Sequence, residues 1–144
     1  MITEFSVASV IVCACLLLHT TGLLLMAEWL LSRRARFERD GPGGLRIMMV
    51  VLFSLIMILH FTEASIWALF YYSRGLFEDL EASLYFSLSS YTTIGYGDVL
   101  LPHKWRLLGA IEGICGVLLF GVSTAFIFAV MNGVFQLRIQ HRST

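Results

Sequence analysis

The sequence predicts an all-α integral membrane protein with three transmembrane helices and one shorter helix between the second and the third. Of the 144 residues, 58% are hydrophobic and only 14% are charged, and the mean hydropathy is +0.80. A soluble domain of this size would be nearer half apolar. The length allows one compact membrane unit and leaves no room for a second domain.

Three apolar runs carry this prediction, at residues 5–31, 47–72 and 107–137. Each exceeds the roughly 20 residues that are needed to cross a bilayer. The apolar segment at residues 80–91 is much shorter, which predicts a re-entrant or buried helix. The first run is a poor signal peptide, because Glu4 precedes it and its basic cluster follows it. We therefore expect it to remain as the first helix.

The basic residues predict the orientation. The segment between the first two runs contains Gly-Pro-Gly-Gly at residues 41–44, which predicts a break between helices. Arginines cluster around this break and after the third run, at Arg33, Arg34, Arg36, Arg39, Arg46, Arg138 and Arg142. The positive-inside rule then makes this loop and the C-terminus cytoplasmic, and places the N-terminus and residues 73–106 outside. We expect a multi-pass protein of the cell membrane, either a plasma membrane or a bacterial inner membrane.

The chain divides into three predicted parts. Residues 1–46 hold the extra first helix and the basic loop, residues 47–137 form the functional module, and residues 138–144 form a short cytoplasmic tail. A formal net charge of zero gives no electrostatic support for nucleic-acid binding. The cysteines lack zinc or redox spacing, and no nucleophile–base pair or nucleotide loop is present. We therefore expect neither an enzyme nor a bound cofactor.

The heptapeptide TTIGYGD at residues 92–98 follows the short segment. Irregular backbone at membrane depth is tolerated only when it is buried in protein or lines a water-filled path. Gly95 and Gly97 allow positive φ, so successive residues can alternate in handedness and turn their carbonyls to one side. One strand offers a single carbonyl at each level, whereas four strands around an axis offer four. The chemistry therefore predicts a homotetramer.

Residues 93–98 resemble the selectivity filter of potassium channels, Thr-Val/Ile-Gly-Tyr-Gly-Asp, at every position. The resemblance covers roughly residues 47–136, and the chain is similar to small bacterial ion-channel proteins that have the pore module and little else. It implies that K⁺ ions are bound by the carbonyls of Thr93, Ile94, Gly95 and Tyr96, together with the Thr93 hydroxyl. The expected partners are thus K⁺, the lipid bilayer and three further copies of the chain.

The resemblance also implies residues that support the filter. Tyr96 would point away from the axis and brace the filter, Asp98 would lie at the outer mouth, and Thr92 and Gly97 flank the ion sites. Three residues of the short helix depart from the common pattern. Many potassium channels carry paired tryptophans where this chain has Tyr85 and Phe86, and some carry a carboxyl group where it has Ser89. How Asp98 is held is therefore left open.

Acidic residues open the short helix, at Glu78, Asp79 and Glu81. Negative charge there suits the positive end of the helix dipole, and it would also raise the cation concentration at the outer mouth. On the third run, Gly109, Gly113 and Gly116 share one face, which permits close helix packing. Gly116 is in addition a candidate hinge for a gate. No run has arginine at every third position, so we expect no voltage sensor.

Four ionisable residues lie within the apolar runs: His19, His60, Glu63 and Glu112. Since a charge at the bilayer centre costs about 3 kcal/mol, they should face protein, lie near an interface or be neutral. We interpret His60, Glu63 and Glu112 as a polar network that either senses pH or fixes packing, with Glu63 accepting a hydrogen bond from Tyr85 or Ser89. His19 alone is expected to be a satisfied interior histidine.

The function that these observations predict is a potassium-selective channel that conducts dehydrated K⁺ through four-fold rings of carbonyls. The alternative is a non-conducting regulatory or sensor subunit that retains the pore architecture. A subunit of a potassium uptake transporter is a further alternative. Such proteins usually place four unequal filter repeats in one chain, and the single complete TTIGYGD argues against it.

Overall fold

The computed structural model describes residues 2–39 and 41–142, with side chains described for residues 4–33 and 43–136. Within these residues the chain forms four α-helices: α1 (Ile2–Arg39), α2 (Gly41–Ser73), α3 (Leu80–Tyr91) and α4 (Arg106–Arg142). A single 3₁₀ turn, His103–Trp105, precedes α4. The fold is thus all-helical in the described residues, as the composition and the apolar runs predict.

Three of the helices are long and apolar enough to cross a membrane. The qualifying segments are Glu4–Arg33, Gly43–Ser73 and His103–Gln136. These segments match the three predicted runs in number and order. The shorter helix α3 has the bounds that the sequence predicts, residues 80–91.

The connection between α1 and α2 differs from the prediction. The prediction of a break at residues 41–44 is wrong, because α2 begins at Gly41 and these residues form its first turn. Proline is tolerated there because the amides of the first turn have no partner within the helix. Residues 33–39 extend α1, since arginine, alanine and glutamate are good helix formers. Asp40, which separates the helices in sequence, lies outside the described residues, as do Met1 and residues 143–144 of the predicted tail.

The short helix α3 packs against both α2 and α4, and α1 packs against the same two helices. One apolar core surrounds the buried side chains of Trp67, Tyr71 and Tyr91, and joins all four helices. A second core, around Leu52 and Ile56, joins α1 and α2 to the later half of α4. The first core positions the end of α3, from which residues 92–98 continue.

The glycine face of α4 lets the end of α3 come close. A Cβ atom at Gly109 would lie 3.0 Å from the Phe86 ring, and one at Gly113 would lie 3.1 Å from the carbonyl oxygen of Ser90. A Cβ atom at Gly116 would overlap the carbonyl oxygen of Tyr91. The structure thus bears out close packing for these glycines. The helix continues without interruption through Gly116, and its role as a hinge stays a prediction.

Replacement of Gly116 by alanine should destabilise the protein strongly. The new methyl group would meet the backbone carbonyl of Tyr91, which cannot move aside as a flexible side chain can. Overpacking of this kind costs about 1–3 kcal/mol. Thermal unfolding in detergent measures the loss.

Gly121→Ala is the matched control, because a Cβ atom on Gly121 has open space in the same helix. We expect this variant to unfold close to the wild-type temperature. Equal unfolding temperatures for Gly116→Ala and the wild type would contradict the packing role of Gly116.

Candidate functional site

The helix α3 is fixed at its start by a side-chain cap. The Asp79 carboxylate accepts a hydrogen bond from the amide of Ala82 at 2.7 Å, and Glu81 adds a negative charge in the first turn. Both negative groups lie near the positive end of the helix dipole, where they stabilise the helix. The helix ends at Tyr91, where the Thr92 hydroxyl donates to the carbonyl of Leu88 at 2.6 Å. The negative end of the dipole therefore lies next to residues 92–98.

Positive φ angles recur at every second residue of this segment. They are 61° at Thr93, 55° at Gly95 and 79° at Gly97. The two glycines have the conformation that the sequence predicts. The sequence did not predict the positive φ of Thr93, since a β-branched residue rarely adopts it. Such strain persists only where the surroundings impose it, and it is concentrated at functional sites.

Two amides tie this segment to the end of α3. The amide of Thr93 donates to the carbonyl of Ser90 at 2.9 Å, and that of Gly95 donates to the carbonyl of Ser89 at 3.0 Å. In the described part of the chain, the carbonyls of residues 93–96 accept no backbone hydrogen bond. These four oxygens therefore remain available to a cation.

Tyr85 holds the outer part of the segment. Its hydroxyl donates to the Asp98 carboxylate at 2.7 Å, and its ring stacks on Tyr96 with a centroid distance of 6.3 Å and an interplanar angle of 12°. The amide of Val99 donates to the other Asp98 oxygen at 3.1 Å. One tyrosine of α3 thus contacts both the aromatic residue and the carboxylate of the motif.

Phe86 and Ser89, the other two residues of α3 that were expected to support the segment, make different contacts from Tyr85. Phe86 is buried against Tyr71 and Phe77, and it lines a groove of about 230 Å³ behind Gly95 and Gly97. The Ser89 hydroxyl donates to the carbonyl of Phe86 at 3.0 Å, so Ser89 supports the segment through its backbone carbonyl instead.

The contact between Tyr85 and Asp98 changes how both groups titrate. The hydrogen bond from Tyr85 lowers the pKa of Asp98, because it favours the carboxylate form, and the same bond raises the pKa of Tyr85. The lowered pKa means that this contact stabilises the folded state above the usual titration range of aspartate. The stabilisation is lost as the pH falls through the pKa of folded Asp98.

Tyr85→Phe should raise the pKa of Asp98 towards its ordinary value, because the hydroxyl donor is lost while the ring remains. Carbon-13 NMR of the aspartate carboxyl groups, recorded during a pH titration, measures this change. Tyr72→Phe is the control, since Tyr72 is an exposed tyrosine of α2. An unchanged titration of Asp98 in Tyr85→Phe would contradict the assigned hydrogen bond.

A second cluster of polar side chains lies where α3 ends. Glu63 is fully buried and accepts a hydrogen bond from the hydroxyl of Tyr91, and its other oxygen lies 2.9 Å from Nδ1 of His19. The predicted donors, Tyr85 and Ser89, are therefore wrong. Glu63 lies level with the C-terminal end of α3, whereas the hydroxyls of Tyr85 and Ser89 are bonded elsewhere.

The two histidines join this cluster through Ser123. Nδ1 of His60 lies 2.9 Å from the Tyr91 hydroxyl, and its Nε2 lies 3.0 Å from the Ser123 hydroxyl. Nε2 of His19 lies 3.1 Å from the same hydroxyl. His19 is thus a satisfied interior histidine, as predicted, but it is paired with Glu63 and Ser123. No sequence pattern indicates Tyr91 or Ser123 as members of this cluster, since one tyrosine and one serine in apolar helices have no distinctive spacing.

Glu112 belongs to a separate set of contacts. Its carboxylate accepts hydrogen bonds from the hydroxyl of Tyr71 at 2.7 Å and from the hydroxyl of Ser87. This set links α2, α3 and α4 nearer the start of α4. The single network predicted for His60, Glu63 and Glu112 is therefore two sets in the structure.

The comparison with known proteins agrees with this arrangement. Residues 47–132 match a family model described as "Ion channel". No curated protein and no solved structure matches the chain.

The chain belongs to this ion channel family, which includes the two-helix pore modules of potassium channels. The matched region contains α2 beyond its first turn, α3, residues 92–98 and most of α4. Family membership and three membrane-compatible helices together define an ion channel protein of the membrane.

Proposed function

We propose that the protein is a homotetrameric potassium channel in which residues 93–96 form the selectivity filter. The observation that carries the proposal is the alternation of backbone handedness at Thr93, Gly95 and Gly97, next to carbonyls that accept no backbone hydrogen bond in the described residues. This geometry suits a strand whose carbonyl oxygens serve as ligands. It occurs between two membrane-compatible helices of an ion channel family member.

Conduction would follow from the backbone alone. Four copies of residues 93–96 around one axis offer four oxygens at each level, so an ion between two levels meets eight. These oxygens replace the water that K⁺ sheds, and neighbouring ions repel each other and so keep binding weak enough for exit. The C-terminal end of α3 directs its negative dipole towards the ion below the filter.

The surface of a single chain supports assembly. The side chains of Ile94 and Tyr96 are 57% and 68% exposed. On α4, the large apolar side chains of Ile114, Val117, Leu118, Val122 and Phe128 are also exposed. Apolar surface of this extent needs either lipid or a neighbouring copy to cover it. Four-fold assembly would cover part of both surfaces.

Selective K⁺ flux is the first test. Protein in liposomes should pass K⁺ and Rb⁺ far faster than Na⁺, and Ba²⁺ should block it. Gly95→Ala should reduce K⁺ flux by at least about tenfold, because positive φ costs an L-residue about 1–2 kcal/mol in each subunit.

Gly75→Ala is the matched control for this flux measurement. Gly75 also has positive φ, 62°, and open space around its Cβ position, but it lies between α2 and α3. Its flux should stay close to that of the wild type. Equal Na⁺ and K⁺ flux would contradict a selective pore, and no flux from protein of tetrameric native mass would favour the non-conducting subunit. A native mass that corresponds to a dimer or trimer would contradict the four-fold filter.

The orientation that we propose has the N-terminus outside and the C-terminus in the cytoplasm of a cell membrane. It depends on arginines whose side chains lie largely outside the described residues. A cysteine-free variant with one new cysteine at Ile2 should react with an impermeant reagent added outside, and one at Ser143 should react only after permeabilisation. The reverse pattern would mean that the orientation is inverted.

A further inference from the structure

The polar cluster at the end of α3 is a closed ring of hydrogen-bonded side chains. Its five members follow one another in the order Glu63, His19, Ser123, His60, Tyr91 and back to Glu63. Each histidine and the glutamate use a different atom for each neighbour. Each hydroxyl oxygen, of Tyr91 and of Ser123, contacts both of its neighbours. All five members are buried. The ring includes a side chain from each of the four helices.

The number of protons in such a ring is set by its contacts. Five contacts need five protons, one for each donor. Two neutral imidazoles, one phenol and one aliphatic hydroxyl supply four, and a carboxylate supplies none. With an ionised Glu63 and two neutral histidines, one contact therefore brings together two lone pairs. A fifth proton removes this defect.

The fifth proton also removes the net charge of the ring. Without it the ring carries the charge of the Glu63 carboxylate at a fully buried position, which is costly when no cation compensates it. With it the ring is neutral overall, whether the proton resides on Glu63 or on an imidazole. Hydrogen-bond count and charge thus favour the same state.

The contacts also indicate where this proton lies. Nδ1 of His60 is within 3.3 Å of a Glu63 oxygen as well as 2.9 Å from the Tyr91 hydroxyl, so this nitrogen is a donor. Tyr91 then donates to Glu63, and Ser123 donates to Nε2 of His60. Nε2 of His19 donates to Ser123, which leaves the contact between His19 Nδ1 and Glu63 as the place of the fifth proton.

We propose that this ring is a binding site for a single proton, and that loss of the proton at alkaline pH loosens the joint between the four helices beside residues 92–98. Tyr91 transmits the effect, because it is the last residue of α3 and belongs to the ring. The proposal concerns the packing of the four helices and does not rest on the proposed function.

The other titratable groups near the ring come from α1 and α4. Cys15 of α1 and Cys115 of α4 lie close to each other and within electrostatic reach of Glu63, and Glu112 is within reach of Cys15. Glu112 accepts hydrogen bonds from two hydroxyls of its own, from Tyr71 and Ser87. Because it is a second buried carboxyl group, the experiment must separate it from Glu63.

Glu63→Gln is the decisive variant. The side-chain amide supplies an oxygen to accept from Tyr91 and an N–H to donate to His19, so all five contacts are filled without a titrating carboxyl group. The wild-type melting temperature in detergent should fall by about 5 °C between neutral and alkaline pH. The Glu63→Gln protein should lose this fall while it melts near the wild-type temperature at neutral pH. Glu63→Leu should melt lower at every pH.

Ser123→Ala gives an independent check. It separates the two imidazoles, and the remaining three contacts need only the protons that two neutral histidines and Tyr91 carry. The charge of an ionised Glu63 stays buried, so the alkaline fall in melting temperature should become smaller in this variant without vanishing, from a lower starting temperature.

Three results would overturn the proposal. One is an alkaline fall that persists in Glu63→Gln, and another is a fall that disappears in Glu112→Gln instead. The third concerns a metal, because ligand atoms of His19, His60 and Glu63 lie within 4.8 Å of one another. A rise in the melting temperature of chelator-treated protein on addition of Zn²⁺, absent in Glu63→Gln, would assign the cluster to a metal. Melting does not require conduction, so loss of K⁺ selectivity would refute the proposed function and leave the proton site untouched.

Discussion

The contact on which the rest of the structure depends is the seating of Tyr91 between α2 and α4. Its carbonyl oxygen occupies the space where Gly116 lacks a side chain, and its hydroxyl donates to the buried Glu63. The short helix α3 is fixed at this end by both contacts and at the other end by the Asp79 cap. Residues 92–98 follow directly, so their strained backbone is anchored to a buried residue of the core.

The two ends of residues 92–98 are held by different contacts. Near Tyr91, the amides of Thr93 and Gly95 are bound by carbonyls of α3, which fixes the direction in which the chain leaves the helix. At the outer end, Tyr85 holds Asp98 and stacks on Tyr96. Between these ends, the carbonyls of residues 93–96 accept no backbone hydrogen bond in the described part of the chain. A segment held at two ends by the same helix can keep an unfavourable backbone conformation in its middle.

The sequence predicted the helices well because membrane thickness and hydropathy act on long stretches of chain. The bounds of α3, the three spans and positive φ at Gly95 and Gly97 all follow from local rules. What it did not predict depends on tertiary contacts. Glu63 accepts its hydrogen bond from a tyrosine that is 28 residues away in the sequence. Which residue of α2 this tyrosine reaches depends on how α3 packs against α2. The start of α2 at Gly41 reflects the favourable placement of proline in a first turn, which composition alone does not reveal.

The family match begins at residue 47 and so leaves out α1, yet α1 contributes His19 to the centre of the molecule. Without that imidazole, an oxygen of Glu63 and the Ser123 hydroxyl would each lose a partner inside an apolar core. The first helix is therefore packed into the region that matches the ion channel family and is more than a removable membrane anchor. Among members of the family, a histidine on an added first helix and a glutamate at the position of Glu63 on α2 should be gained or lost together.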